Sequence, residues 1–196
     1  PAIIGPFGDG WTDKQALEIL KSEGVETKYV QINPGQYGFG VVINYQGERT
    51  ILSYYPQLSC EWPQDPELEA GWIYLTSMAE GYESFYARAV EWAKEKKARI
   101  AFNPGTRQIK AGFQHLDYAF RQTDVLFVNK EEAENLLGVP ERRTDIKVLL
   151  DQVYKIGPKV VIITDGQAGT YAYDGYKFWH MPIVPAKVLE RTGAGD

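Results

Sequence analysis

The sequence predicts an α/β protein built on a mostly parallel sheet, and three observations lead to this prediction. Strand-like runs alternate with helix-like runs over most of the 196 residues, which is the pattern of strand–helix–strand units. The run VVII at residues 160–163 is continuously apolar, as expected for a strand covered on both faces. A composition of 44% hydrophobic and 24% charged residues suits a globular chain that buries a sizeable core.

The first 55 residues predict a strand, a helix, a second strand and a hairpin. Their positions are AIIGPF (2–7) and TKYVQI (27–32) for the strands, 8–25 for the helix and 37–55 for the hairpin. The helix has an apolar stripe that includes Leu17 and Leu20. Two strand-like runs flank a turn at Gly47, which predicts the hairpin. Because it follows a strand–helix–strand unit, we expect this hairpin to leave the main sheet.

From residue 72 onward the alternation becomes regular. Strands are predicted at 72–77, 99–103, 124–129 and 159–164, helices at 84–98, 113–122, 130–138 and 144–157, and a final hairpin around Asp174 and Gly175. Thr144 or Asp145 is the expected cap of the last helix, and Gly138 ends the preceding one. Strands that alternate with helices in this way predict helices on both faces of the sheet.

Charge and composition narrow the functional classes. The net charge is -5, so no basic surface suggests binding to nucleic acid. No apolar run is long enough to span a membrane, and no partner membrane is expected. The single cysteine, Cys60, and the absence of a leader-like N-terminal segment favour a reducing, cytoplasmic location. The chain lacks a starting Met and begins inside a predicted strand, so we expect it to be cut at both ends.

Ligands of parallel α/β sheets bind at the carboxyl ends of the strands. The polar residues at those positions are therefore the candidates for function. They are Thr76 and Ser77, Asn103 to Gly105, Asn129 to Glu132, and Thr164 to Gly169.

Asn129 and Glu132 stand three residues apart at a strand-to-helix junction. Both side chains can face the same ligand, and a carboxylate there can hold Mg²⁺ through water. The alternative is a first helical turn in which Glu complements the helix dipole. The segment TDGQAG offers Thr164, Gly166 and Gly169 directly after the most apolar strand. Its glycines can admit a nucleotide phosphate to the backbone, or can simply form a tight turn.

The last five residues are Thr-Gly-Ala-Gly-Asp. Glycines on either side of Ala194 allow successive N–H groups to converge on an anion. A carboxylate beside such an anion hole, here Asp196, can accept a proton from an attacking hydroxyl. A glycine-rich turn with an N-capping Asp is the simpler alternative.

The chain resembles the ribokinase/PfkB family of carbohydrate and nucleoside kinases in the order of four motifs. These are Asn-Pro-Gly, Asn-x-x-Glu, Thr-x-Gly-x-x-Gly and Thr-Gly-Ala-Gly-Asp. The resemblance covers essentially the whole chain. It implies a ribokinase-like three-layer sandwich in a single, partial domain over residues 1–196, with the 37–55 hairpin inserted as a lid. One departure is Arg191, which stands where the family commonly has Thr.

The resemblance also implies residue roles, with ATP and Mg²⁺ as cofactors. Asp196 would be the general base, and Gly193, Ala194 and Gly195 would form the anion hole for the γ-phosphate. Asn129 and Glu132 would organise Mg²⁺ and the phosphates, with Glu132 nearest the metal. Thr164, Gly166 and Gly169 would contact the phosphates of ATP.

The expected function is therefore transfer of the γ-phosphate of ATP to a hydroxyl of a sugar. A nucleoside acceptor is the alternative within the same chemistry. A non-catalytic binding module that has lost the ends of its pocket is the alternative from another class. Lids of this family often pair, which predicts a homodimer through the hairpin.

Overall fold

The computed structural model describes residues 1–45, 48–54, 56, 58–139 and 144–185. These residues form two compact units. The first comprises Pro1–Glu67 and Ala79–Phe85, and the second comprises Leu68–Met78 and the described residues from Tyr86 onward. The single domain expected over residues 1–196 stays a prediction.

The first unit begins with the predicted strand–helix–strand arrangement. Strand β1 (Ala2–Phe7) pairs in parallel with β2 (Glu26–Ile32), and helix α1 (Trp11–Ser22) connects them. These two strands form a two-stranded sheet of their own. The ladder continues one step past β1, because the N–H of Asn33 donates to the carbonyl of Phe7 at 2.8 Å.

The predicted hairpin is present and forms a separate antiparallel sheet. Strand β3 (Phe39–Tyr45) pairs with β4 (Glu48–Tyr54), from Phe39 opposite Tyr54 to Tyr45 opposite Glu48. Since side chains alternate between faces, this register places six apolar residues on one face, while Val42 and Ile51 face each other on the opposite side. The six are Phe39, Val41, Ile43, Tyr45, Leu52 and Tyr54, all exposed.

The second unit contains a six-stranded mixed sheet in the spatial order β10-β9-β8-β7-β6-β5. The strands are β5 (Trp72–Leu75), β6 (Arg99–Phe102), β7 (Val125–Asn129), β8 (Val160–Thr164), β9 (Thr170–Tyr173) and β10 (Phe178–Met181). The first four are parallel, and β9 and β10 are antiparallel additions at one edge. The mostly parallel sheet predicted from the alternation is thereby confirmed.

The remaining helices are α2 (Tyr82–Lys96), α3 (Thr106–Ala111), α4 (Asp117–Phe120), α5 (Lys130–Leu137) and α6 (Ile146–Tyr154). Asp145 caps α6, with its carboxylate accepting the N–H groups of Lys147 and Val148. The helix expected at 113–122 was predicted too long. Residues Phe113–Leu116 form a 3-10 turn that follows Gly112, and only Asp117–Phe120 is α-helical.

The core of the second unit lies against the central strands. Leu126 and Val128 of β7 and Val161 and Ile163 of β8 are buried, and the residues between them are half-buried. The next residues along, Asn129 and Thr164, are exposed. Both strands therefore run from a closed interior to an open edge of the sheet, and the candidate site lies at that edge.

No helix in the described part of the chain has the length and apolarity needed to cross a bilayer.

Candidate active site

Strands β7 and β8 end side by side, at Asn129 and Thr164. These two residues are partners in the parallel ladder, so the two motifs that begin with them are brought together. The sheet itself thus places Asn-x-x-Glu next to Thr-x-Gly-x-x-Gly. This juxtaposition at the carboxyl edge is the geometry that a ligand site of a parallel sheet requires.

Asn129 and Glu132 bond to each other. The N–H of Glu132 donates to Asn129 Oδ1 at 2.8 Å, and the N–H of Asn129 donates to Glu132 Oε2 at 2.8 Å. This is a capping box, which satisfies two N–H groups at the start of α5. The first-turn alternative is therefore observed, while the roles toward Mg²⁺ and phosphate stay predictions.

Glu132 is half-buried, and its environment disfavours its charge. Burial raises the pKa of the carboxyl above its usual value, the bond from the Asn129 N–H opposes this effect, and the neighbouring Glu131 adds to it. A carboxylate that is costly to ionise gains from a nearby cation. The donor set therefore suits Mg²⁺, which needs only one or two protein carboxylates beside phosphate oxygens.

The turn that follows β8 is closed by its own backbone. The N–H groups of Asp165, Ala168 and Gly169 donate to the carbonyls of Gly169, Asp165 and Gly166. A Cβ on Gly166 would have no heavy atom within 4 Å, so one side of the turn is open. Gly169 has φ +91, and a Cβ there would overlap the carbonyl oxygen of Met181. The close approach of β10 thus accounts for glycine at 169, and its contact with ATP stays a prediction.

Two charged residues of this edge fall within the candidate ranges chosen from the sequence, which gave neither of them a role of its own. Lys130 and Asp165 each follow one of the ladder partners, and Lys130 Nζ lies 3.2 Å from Asp165 Oδ2. Neither side chain is more than a third exposed. Their adjacency could have been found only from the register of β7 against β8, since 35 residues separate them along the chain.

His180 is a residue of strand β10. Its ring also stacks on Tyr171 of β9, with centroids 4.4 Å apart and planes 14° apart. Its Nε2 is 2.8 Å from the carbonyl oxygen of Ala168 in the turn. A carbonyl only accepts, so Nε2 is the protonated nitrogen in this arrangement.

The ends of β5 and β6 form the neighbouring part of the same edge. Gly105, the N-cap of α3, lies against Ser77, and a Cβ at 105 would overlap that side chain. Gln108 is fully buried and its Nε2 donates to the carbonyl of Met78 at 2.8 Å. The structure therefore brings the predicted Thr76–Ser77 and Asn103–Gly105 positions together.

The first unit has an open cavity of about 350 Å³, lined by Gly35, Gln36, Tyr37, Phe39 and Tyr54. Tyr37 and Phe39 are the aromatics that the sequence places at the start of the hairpin. Phe39 packs on Tyr54 of the facing strand, with ring centroids 5.8 Å apart. The position of Phe39 is therefore explained by packing within the hairpin.

Gly193, Ala194, Gly195 and Asp196, as well as Arg191, lie outside the described residues. Their assignments as anion hole and general base stay predictions. Over the described ranges, His, Cys, Asp and Glu form no cluster of three or more that could hold a metal ion.

Solved structures define the class of the fold. A ribokinase from Arabidopsis thaliana in complex with ribose and ATP has a TM-score of 0.79 and 24% identity, covering 99% of this chain and 65% of that one. A protein from E. coli provisionally named ribokinase II, in complex with ATP and Mg²⁺, has a TM-score of 0.75 and 17% identity, covering 99% and 66%. The fold is ribokinase-like, as predicted.

The sequence matches the pfkB family of carbohydrate kinases over residues 1–196, and the chain belongs to that family. Similar curated proteins include a nucleoside kinase from Methanothermobacter thermautotrophicus, 22% identical over 100% of this chain and 62% of its own length. A fructokinase from Klebsiella pneumoniae is 27% identical over 99% of this chain and 67% of its own length. The chain thus spans about two thirds of the length of these relatives.

Proposed function

We propose that the full-length protein is an ATP-dependent kinase that phosphorylates a hydroxyl group of a sugar. The observation that carries this proposal is the ladder pairing of Asn129 with Thr164, which joins two family motifs at the carboxyl edge of the sheet. Family membership supports the same chemistry. A cytoplasmic location, predicted from the single cysteine, is kept as part of the proposal.

The nucleotide side of the site is formed by the two motifs that the ladder joins. Thr164, Gly166 and Gly169 belong to the turn that would meet the phosphates of ATP, and Gly166 leaves its open side free of side chain. Glu132 would hold Mg²⁺, directly or through water, while Asn129 keeps that carboxylate oriented through the capping box. When bound, Mg²⁺ would supply charge neutralisation for the transferring phosphate.

The catalytic side rests on the sequence alone. Asp196 would accept the proton of the acceptor hydroxyl, which makes the oxygen a better nucleophile toward the γ-phosphorus. The N–H groups of Gly193, Ala194 and Gly195 would stabilise the charge on the phosphoryl oxygens. Phosphoryl transfer asks mainly for positioning and electrostatic stabilisation, and these two groups would provide both.

The acceptor has two candidates, because the relatives include a fructokinase and a nucleoside kinase. ADP release from the full-length protein, with ATP, Mg²⁺ and a panel of sugars and nucleosides, will separate them. We expect turnover with a sugar. Turnover with nucleosides alone would transfer the proposal to that acceptor class. ATP binding without ADP release from any acceptor would favour a non-catalytic binding module.

The assignment of the base is tested by Asp196→Asn. We expect turnover to fall by about 10²–10⁴-fold, the usual contribution of a general base, with an unchanged midpoint of thermal unfolding. Asp151→Asn is a suitable control, because Asp151 pairs with Lys155 on the exposed side of α6 and lies in neither motif. Near-normal turnover in Asp196→Asn would show that another group is the base.

We also propose that the apolar face of the hairpin is covered by a second copy of the protein. Its support is the exposed cluster on one face of β3 and β4 and the resemblance to a family whose lids pair. Light scattering should give a dimer mass for the wild type and a monomer mass for Val41→Lys. Val42→Lys, on the opposite face of the same strand, should leave the dimer intact. A monomeric wild type would rule out this pairing.

A further inference from the structure

The turn Asp165–Gly169 is held by two side chains from outside its own motif. One is Lys130, at the start of α5, and the other is His180, in β10. Lys130 stands between the motif residues Asn129 and Glu132, and His180 lies outside the four motifs, so the sequence gives neither of them a role toward the nucleotide. Each binds a different end of the turn, so together they restrict its orientation relative to the sheet.

Lys130 holds the beginning of the turn. Asn129 and Thr164 are ladder partners, so the residues that follow them leave the sheet next to each other. Lys130 Nζ then lies 3.2 Å from Asp165 Oδ2, with side-chain exposures of 23% and 30%. A charge that is partly removed from water has an unfavourable free energy when it has no partner of opposite charge. Lys130 and Asp165 therefore stabilise each other in this contact. The capping of α5 does not need Lys130, because Asn129 and Glu132 perform it.

His180 holds the end of the turn. It lies opposite Tyr171 in the β9–β10 ladder, and the two rings are stacked. The stacking fixes the plane of the imidazole, and Nε2–H donates to the carbonyl of Ala168 at 2.8 Å. The donor is thus placed by the antiparallel edge of the sheet and not by the turn itself.

We propose that Lys130 and His180 are positioning residues that orient the Asp165–Gly169 turn for the phosphates of a nucleoside triphosphate. This inference rests on the proposed function, in which that turn meets ATP. Both residues act through the turn and need not touch the nucleotide. Their removal should weaken nucleotide binding and leave the acceptor hydroxyl unaffected.

The protein contains a matched control for the ion pair. Lys159 Nζ lies 2.7 Å from Asp124 Oδ1, and these residues directly precede β8 and β7. The two pairs therefore join the same two strands at opposite ends. Removal of Lys159 takes away one lysine–aspartate pair and leaves the candidate site unchanged.

The experiment compares Lys130→Met with Lys159→Met in the full-length protein. We measure the Kd of a non-hydrolysable ATP analogue by calorimetry, and KM for ATP and for the acceptor by ADP release. Lys130→Met should raise the Kd of the analogue and the KM for ATP by about tenfold, with the acceptor KM unchanged. Lys159→Met should leave all three within about twofold. Equal effects of the two variants would overturn the inference.

A charge exchange separates positioning from direct contact with phosphate. Asp165→Asn should reproduce the loss seen in Lys130→Met, and Lys130→Arg should retain most of the affinity. The double variant Lys130→Asp with Asp165→Lys should recover affinity relative to Lys130→Asp alone, because the pair is restored with its charges exchanged. No recovery would show that Lys130 acts on the nucleotide itself and would overturn the positioning role.

His180→Phe tests the second anchor, since phenylalanine keeps a ring for stacking on Tyr171 and lacks the N–H donor. We expect the Kd of the ATP analogue to rise about threefold. An unchanged Kd would remove His180 from the proposal. A wild-type protein that neither binds nor hydrolyses ATP would overturn the proposed function together with this inference. A wild type that turns over normally, beside an unaffected Lys130→Met, would overturn the inference alone.

Discussion

Strands β7 and β8 are joined by a lysine–aspartate pair at both ends, and the two ends nevertheless differ in what surrounds the pair. At the amino ends, Asp124 accepts from Lys159 and also from the N–H of Ile100 in the neighbouring strand β6. The backbone pairing also extends past the strand, through bonds from Lys159 N to Thr123 O and from Val160 N to Asp124 O. This end is a continuation of the sheet.

At the carboxyl ends, the chain leaves the sheet in two directions. After Asn129 it enters α5 through the capping box, and after Thr164 it enters a glycine turn with one open side. Lys130 and Asp165 therefore connect two departing segments and do not extend a ladder. An ion pair between parallel strands is thus no sign of function in itself. The Lys130–Asp165 pair is a functional candidate because it lies next to a turn with one open side.

The largest effect is expected from glycines that stand against backbone at each end. A Cβ on Gly169 would overlap the carbonyl of Met181, and a Cβ on Gly157 would lie 2.9 Å from the Cα of Arg121. Gly169→Ala and Gly157→Ala should each lower the free energy of unfolding by about 2–4 kcal/mol, measured by chemical denaturation. Only Gly169→Ala should weaken ATP binding, assayed where both variants are folded.

These two variants test whether the carboxyl end of the sheet has a relation to the nucleotide that the amino end lacks. If Gly157→Ala weakens ATP binding as much as Gly169→Ala does, general loosening of the sheet would explain both losses. The carboxyl end would then have no special relation to the nucleotide. A loss of stability in Gly157→Ala with full ATP affinity would support the distinction.

Much of the fold could be predicted because its signals are local. The apolar run of β8 and the flanking polar residues set that strand to within one residue of its observed bounds. Helix α5 was predicted from its start at Lys130 to the glycine that ends it. No helix was predicted between residues 103 and 113, so α3 was missed. It is short, follows Pro104 and Gly105, and its buried residues include the polar Gln108.

The site was predictable only as far as strand ends are predictable. Asn129 and Thr164 were selected because polar residues follow apolar strands, and the sheet places them side by side. The contacts of Lys130 and His180 depend on register, between β7 and β8 and between β9 and β10. Register is set by the packing of whole strands, so these contacts cannot be predicted from a short segment of sequence.

The smallest effect is expected from the charge of Glu132, and it depends on pH. Burial raises the pKa of this carboxyl in the folded protein, so the folded state holds the proton more tightly than the unfolded state. The resulting contribution to the free energy of unfolding is complete below the usual glutamate pKa. That contribution is lost as pH rises through the raised value. Glu132→Gln keeps an oxygen that can accept the N–H of Asn129 and carries no charge. Its midpoint of thermal unfolding should exceed that of the wild type by no more than about 2–4 °C at pH 7.

The control for this prediction is Glu131→Gln, the exposed neighbour in the same first turn of α5. Near the usual carboxyl pKa of about 4.3, the difference between Glu132→Gln and the wild type should vanish. At the amino end, the carboxylate of Asp124 accepts from Lys159 and from the N–H of Ile100, and an amide at this position would lose the ion pair. Asp124→Asn should therefore lower the midpoint at pH 7. A lower midpoint for Glu132→Gln as well would mean that the surroundings of Glu132 stabilise its charged form. A carboxylate that the protein already stabilises would gain less from binding Mg²⁺.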